Sequence, residues 1–126
     1  MKRILVIVVV LGVVIGCVVN GKYKRDIARY RQTVELLVAC GSNFVNGVSS
    51  DKVIVHDAWN RSIVLNTNAQ EHVVLINSAG HDGVVGNSDD VVCKLELWGG
   101  RNYMMTTSWS YGIDSENRLD SYYASD

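Results

Sequence analysis

The sequence predicts an α+β fold in which one long amino-terminal helix packs on a small antiparallel β-sheet. Three patterns lead to this. A charge-free run from Ile4 to Val19 passes into a stretch with helical spacing of apolar residues as far as Asn46. Short β-rich runs follow, separated by turn residues, and no helical stretch lies between them, which points to hairpins rather than parallel βαβ units. With 126 residues, 48% of them apolar and 20% charged, the chain has the make-up of one globular unit and not of a disordered polymer.

Residues 1–21 form the first element, a signal or membrane anchor. Met1-Lys2-Arg3 is positive, Ile4 to Ile15 is apolar, and Gly16-Cys17 sets a small residue before a cysteine, the layout of a secretion signal. The charge-free run spans about 24 Å as a helix, a little short of the roughly 20 residues of a typical membrane crossing. A cleaved signal and a retained anchor through residues 4–19 are therefore both open. Val14-Ile15-Gly16-Cys17 resembles the lipobox of bacterial lipoproteins, which marks Cys17 as a candidate lipidation site. Lys22, Lys24, Arg25, Arg29 and Arg31 follow, more positive charge than precedes the run. By the positive-inside rule alone they would keep the remainder in the cytoplasm.

Residues 22–126 are expected to form the globular domain. Ile27, Tyr30, Val34, Leu37, Val38, Phe44 and Val45 make a helical stripe over residues 22–46, ended by Asn46-Gly47. The sheet is expected within residues 52–110, from runs at Val53–Val55, Ile63–Leu65, Val73–Ile76, Val91–Leu97 and Tyr103–Thr107. In the run from Val91, Cys93, Leu95 and Leu97 alternate with Lys94 and Glu96, as in a strand with one face on a core and one in water. Residues 114–126 are polar and without period and read as a loose tail.

Composition removes several functions. A net charge of −1 gives no cationic surface of the kind nucleic acids need. Cys17, Cys40 and Cys93 have neither zinc-ligand nor CxxC spacing. Cys40 and Cys93 could join the helix to a strand as a disulfide in an exported domain, or remain two buried thiols. His56 and His72 fall at strand edges without a converging partner, and the tryptophans Trp59, Trp98 and Trp109 fit core and hairpin positions. Ser78, His81 and Asp82 lie too close in sequence to build a hydrolytic triad with an oxyanion site. No enzyme, small-molecule substrate or organic cofactor is expected.

The one chemically distinctive segment runs from Ser78 to Asp90. It carries Gly80, Gly83 and Gly86 with three carboxylates, Asp82, Asp89 and Asp90. Carboxylates gathered in one loop repel unless a cation neutralises them, and hard oxygens with free backbone carbonyls suit calcium. A hairpin loop with solvated carboxylates is the plain alternative.

Ser78-Ala79-Gly80-His81-Asp82-Gly83 followed by Asp89-Asp90-Val91 resembles the S-x-G-x-D-G…D-D-I signature of the major pseudopilins of type II secretion systems. Upstream, Asp57-Ala58-Trp59-Asn60-Arg61-Ser62-Ile63 is similar to that family's D-P-W-G-x-P-Y element, in the same order and separation. The resemblance covers Asp57 to Trp98. It implies a pilin-like fold with a calcium-binding loop, Asp82, Asp89 and Asp90 as side-chain ligands, and backbone oxygens of Ala79, Val84 and Asn87 completing the shell. It also implies a structural role in the cell envelope, by self-assembly or with protein partners, the globular part lying periplasmic or at the cell surface. The chain departs from the family in having Asp26 as its first acidic residue, beyond the apolar run, and Ala58 and Asn60 in place of the family's proline and glycine. An exported calcium-binding lipoprotein serving as a monomeric protein-binding module is the alternative expectation.

Overall fold

The structure, a computed structural model, describes residues 2–47, 56–68, 70–98 and 102–123, with side chains for 7–47, 56–68, 70–97 and 103–119. A single helix, α1 (Lys2–Val45), is followed by five strands, β1 (Val64–Asn68), β2 (Val73–Ser78), β3 (Val91–Trp98), β4 (Asn102–Tyr111) and β5 (Asp114–Tyr123). The strands form one sheet in chain order, every neighbouring pair antiparallel. This is the α+β arrangement the sequence predicts.

The segment set apart at residues 1–21 is continuous with the amphipathic helix, because nothing between Val19 and Lys22 interrupts helical geometry. Helix α1 ends where Asn46-Gly47 was expected to end it. Gly47 adopts φ 74° and its amide donates to Phe44 O, the left-handed closure at which glycine has no steric penalty.

The two halves of α1 differ in environment. From Ile7 to Val19 every side chain is exposed, a bare apolar rod. From Tyr23 onward one face packs on the sheet: Tyr30, Leu37, Ile76, Val91, Cys93, Leu95 and Met105 are fully enclosed, with Ile27, Val34, Val38, Val74 and Trp109 around them. Alternation sets the sheet's inner face as expected, with Cys93 and Leu95 buried and Lys94 and Glu96 on the outer side. At Gly41 the helix comes so near β4 that a Cβ would lie 2.7 Å from Met105 Cε.

The expectation of a loose tail from residue 114 is corrected. Residues 114–123 are strand β5, paired along its length with β4 in a register running from Tyr111↔Asp114 to Asn102↔Tyr123. Its helix-facing residues are charged rather than apolar, so no hydrophobic period marks it. Arg118 donates to Glu35 at 2.8 Å, and Arg31 lies 3.9 Å from Glu116. The expected run Val53–Val55 lies outside the described residues.

Candidate functional site

The segment between β2 and β3 is built from three directions. Its own glycines close it: Gly80, Gly83 and Gly86 have φ of 60°, 77° and 98°, backbone that side-chain-bearing residues adopt at a cost. At Gly80 the need is twofold, because a Cβ would also sit 2.0 Å from the backbone oxygen of Asp89. The two ends of the loop touch there.

The second support is the turn Asp57–Arg61. Asp57 is buried, and its Oδ1 accepts from the amides of Trp59 and Arg61, each at 2.9 Å, a local capping pattern that Asp favours. Its Oδ2 accepts from Ser78 Oγ at 2.7 Å, at the end of β2. Arg61 then reaches over the loop, donating through its guanidinium to Gly80 O at 2.6 Å and His81 O at 3.1 Å. Ala58 N donates to Thr33 Oγ1, so the turn is tied to α1 as well.

The third support is Tyr30, at the centre of the helical stripe. Its hydroxyl donates to Asp89 Oδ2 at 3.2 Å and accepts from the amide of His81 at 3.1 Å. Trp59 meets the Tyr30 ring edge-on and Trp109 stacks on it, with centroids 4.9 Å and 5.0 Å away. Burial pushes the Tyr30 phenol well above its ordinary pKa, which keeps the hydroxyl a donor. Next to it, His81 Nε2 stands 3.6 Å from Oδ2 of the buried Asp26.

Inside this frame the predicted ligand residues occupy distinct places. Asp82 and Asp89 come together: the Asp82 amide donates to Asp89 Oδ2 at 3.1 Å. Asp82 caps the loop with both oxygens, accepting from Val84 N and from Asn87 Nδ2, each at 2.7 Å. Asn87 Oδ1 accepts from Asp89 N, and Ala79 O accepts from Gly83 N. Val84 itself is exposed. Asp90 points inward, its Oδ2 accepting from Gly86 N at 2.7 Å while its buried Oδ1 has no hydrogen-bond partner among the described residues. Beside it opens a polar recess of about 300 Å³, lined in part by Asn87, Ser88, Asp90, Ser108 and Asn117. Among the described residues, no three His, Cys, Asp or Glu side chains form a group able to hold a metal ion.

The donors present are hard oxygens, the class calcium takes, and a buried carboxylate oxygen without a partner is what a missing cation or water leaves behind. Asp90 fits that description. Both oxygens of Asp82 and Oδ2 of Asp89 instead accept from amides of the loop and, at Asp89, from the Tyr30 hydroxyl, contacts with which a cation at those oxygens would compete.

Other candidates fall elsewhere. Cys17 is exposed on the apolar half of α1, whereas Cys40 and Cys93 are buried as thiols on α1 and β3. Burial raises the pKa of Cys40, which lowers its reactivity. His56 bridges to Ser62 in an isolated antiparallel pair, and His72 is exposed with φ 54° in the β1–β2 turn.

In the sequence Asp57 and Arg61 stand out only as part of a motif and Tyr30 only as a member of an apolar stripe, so the part these three play in holding the loop is not visible there. The available signal was a tyrosine in the middle of a core stripe, since a buried phenol needs a partner. Compared with protein-family models, with curated proteins and with solved structures, the chain shows no match.

Proposed function

We propose that the protein is a membrane-anchored, pseudopilin-like structural or assembly subunit of a bacterial cell envelope or secretion machine, with its globular head outside the cytoplasm. One observation carries the reading: a single helix whose first half is bare and apolar and whose second half is the central element of the head. An exposed rod of Ile, Leu and Val is unfavourable in water, at roughly 25 cal/mol per Å² of apolar surface, and calls for lipid or other copies to cover it. The helix is long and apolar enough to cross a membrane.

The head supports an architectural role. Its loop is fastened to the helix by Tyr30 and to the turn 57–61 by Arg61, and Asp57 joins that turn to the end of β2 at Ser78, so a cation bound there would stiffen the head rather than act on a substrate. In this reading calcium would be held by Asp82, Asp89 and Asp90 with backbone oxygens of Ala79, Val84 and Asn87, and the support for it is the hard-oxygen character of these donors and the unpartnered, buried Asp90 Oδ1.

Expression of the full chain in a bacterium, followed by alkaline carbonate extraction and protease treatment of spheroplasts, tests the reading. The chain is expected to stay with the membrane and its head to be digested from outside. Replacing Val8, Leu11 and Ile15 by serine should release it. A head protected in spheroplasts would overturn the outward orientation, and a mature amino terminus bearing lipid on Cys17 would favour the lipoprotein module.

A further inference from the structure

We propose that the tip of the β4–β5 hairpin is a second membrane contact, with Ile113 entering the headgroup boundary of the bilayer that holds α1. The inference rests on the anchoring just proposed and adds a second, separate point of attachment.

The tip lies beside the helix where the apolar run stops. Tyr23 stacks on Tyr111 with ring centroids 5.6 Å apart, and its hydroxyl lies 2.7 Å from Asp114 Oδ2 and 3.1 Å from Tyr111 O. Asn20, Tyr23, Lys24 and Asp114 share one open cavity of about 330 Å³. From Val19 to Tyr23 the helix climbs about 6 Å, which is about the depth of one headgroup layer. The hairpin tip therefore sits at the level of lipid headgroups when residues 4–19 occupy the hydrocarbon.

At that tip stands an isoleucine that does nothing for the fold. Ile113 is 97% exposed. The turn between Tyr111 and Asp114 has two residues, with Gly112 at φ 59° as its first, a geometry served in water by Gly followed by Ser, Asn or Asp. An apolar residue at the second position has no packing reason within the head.

The surroundings select an anionic bilayer as the occupant. Lys22, Lys24 and Arg25 are all exposed within six residues of the end of the apolar run, where long cationic side chains reach the phosphates of lipid headgroups. Tyr23 and Tyr111 are half-buried at the same level and have the amphipathic character of membrane-interface aromatics. Because Tyr23 clamps the hairpin to α1, a buried Ile113 would fix the rotation of the head about the helix axis.

The test uses the full chain in phosphatidylcholine–phosphatidylglycerol vesicles with an environment-sensitive fluorophore at one of three positions. Native Cys17 reports the stalk; Ile113→Cys and Gln70→Cys, each in a Cys17→Ser chain, report the tip and the exposed turn at the opposite end of the sheet. Cys40 and Cys93 are buried and label poorly. The expected result is quenching of the Cys17 and Ile113→Cys probes by lipids spin-labelled near the headgroup, a blue shift at Ile113→Cys, and neither effect at Gln70→Cys. Quenching at Cys17 with an Ile113→Cys probe that behaves like Gln70→Cys overturns the tip contact and leaves the anchor standing. A blue shift that lipid quenchers do not touch and that follows protein density makes the occupant a second copy and overturns the proposal. No quenching at Cys17 removes the anchor and the tip contact together.

Discussion

Asp57 satisfies two backbone amides with one oxygen and the Ser78 hydroxyl with the other, in a buried site where each lost partner costs about 1–3 kcal/mol. The geometry separates two substitutions. Asp57→Asn keeps the oxygen that serves Trp59 and Arg61, and the Ser78 hydroxyl can turn to accept from the new amide, so the loss should be about 1 kcal/mol. Asp57→Ala strands three donors and should cost about 3 kcal/mol or more, read as a shift in the urea midpoint of the full chain in detergent. Tyr30→Phe keeps the ring packing but removes the hydroxyl shared by Asp89 and the His81 amide, for an expected loss of about 1–2 kcal/mol. Tyrosine ionisation supplies a pH dependence of known sign. The hydrogen bond to Asp114 raises the Tyr23 pKa, and burial raises those of Tyr30 and Tyr111. Folded values above unfolded ones give stability that is complete below about pH 10, where unfolded tyrosine titrates, and lost as pH rises through the folded values. In an alkaline titration the tyrosinate absorbance of Tyr30 should therefore appear with the loss of sheet circular dichroism and not before it.

At the scale of elements, legibility followed the kind of interaction that buries each segment. Helix α1 and strands β2 to β4 bury apolar side chains, and their periods of 3.6 and 2 were visible in Tyr30, Val34 and Leu37 and in Cys93 and Leu95. Strand β5 presents Asp114, Glu116 and Arg118 to α1, so its packing is written in charge, which carries no hydropathic period. The remaining clue was the two-residue turn at Gly112. The site divided in the same way. Its glycines and carboxylates could be read as one loop because they are neighbours in sequence, whereas the clamps from Tyr30, Asp57 and Arg61 depend on register and helix placement that no local pattern encodes. Gly112→Ala tests the hairpin: the residue has φ 59°, and an added Cβ would come 2.9 Å from the Tyr23 ring. A left-handed backbone costs a side-chain-bearing residue about 1–2 kcal/mol, and the Tyr23–Asp114 hydrogen bond should weaken with it. Amide exchange confined to β4 and β5 should accelerate more than exchange in β2 and β3.

For the whole molecule the question is whether the loop is complete as it stands or is finished by a cation. Hydrogen bonds already close it through Asp82, Asn87 and Asp89, while the buried Asp90 Oδ1 has no hydrogen-bond partner among the described residues. If the loop is self-sufficient, its carboxylates are caps and added calcium does nothing. If calcium belongs there, it binds the folded state alone and stabilises it by about 2.7 kcal/mol when free calcium is a hundredfold above the dissociation constant. For a head of this size that corresponds to a rise in Tm of roughly 10 °C. A thermal melt of the full chain in detergent, with excess calcium and again with chelator, distinguishes the two. Asp89→Ala and Asp90→Ala should abolish the calcium response. Asp90→Asn should weaken it while keeping an oxygen for the Gly86 amide, so its melt in chelator should stay near that of the parent chain. Magnesium should substitute poorly, since it demands a small octahedral shell that a glycine-closed loop with mixed carboxylate and carbonyl donors does not supply. An equal Tm with calcium and with chelator would leave the loop as a hydrogen-bonded brace between helix and sheet, and the anchor and head would have to be understood without a metal.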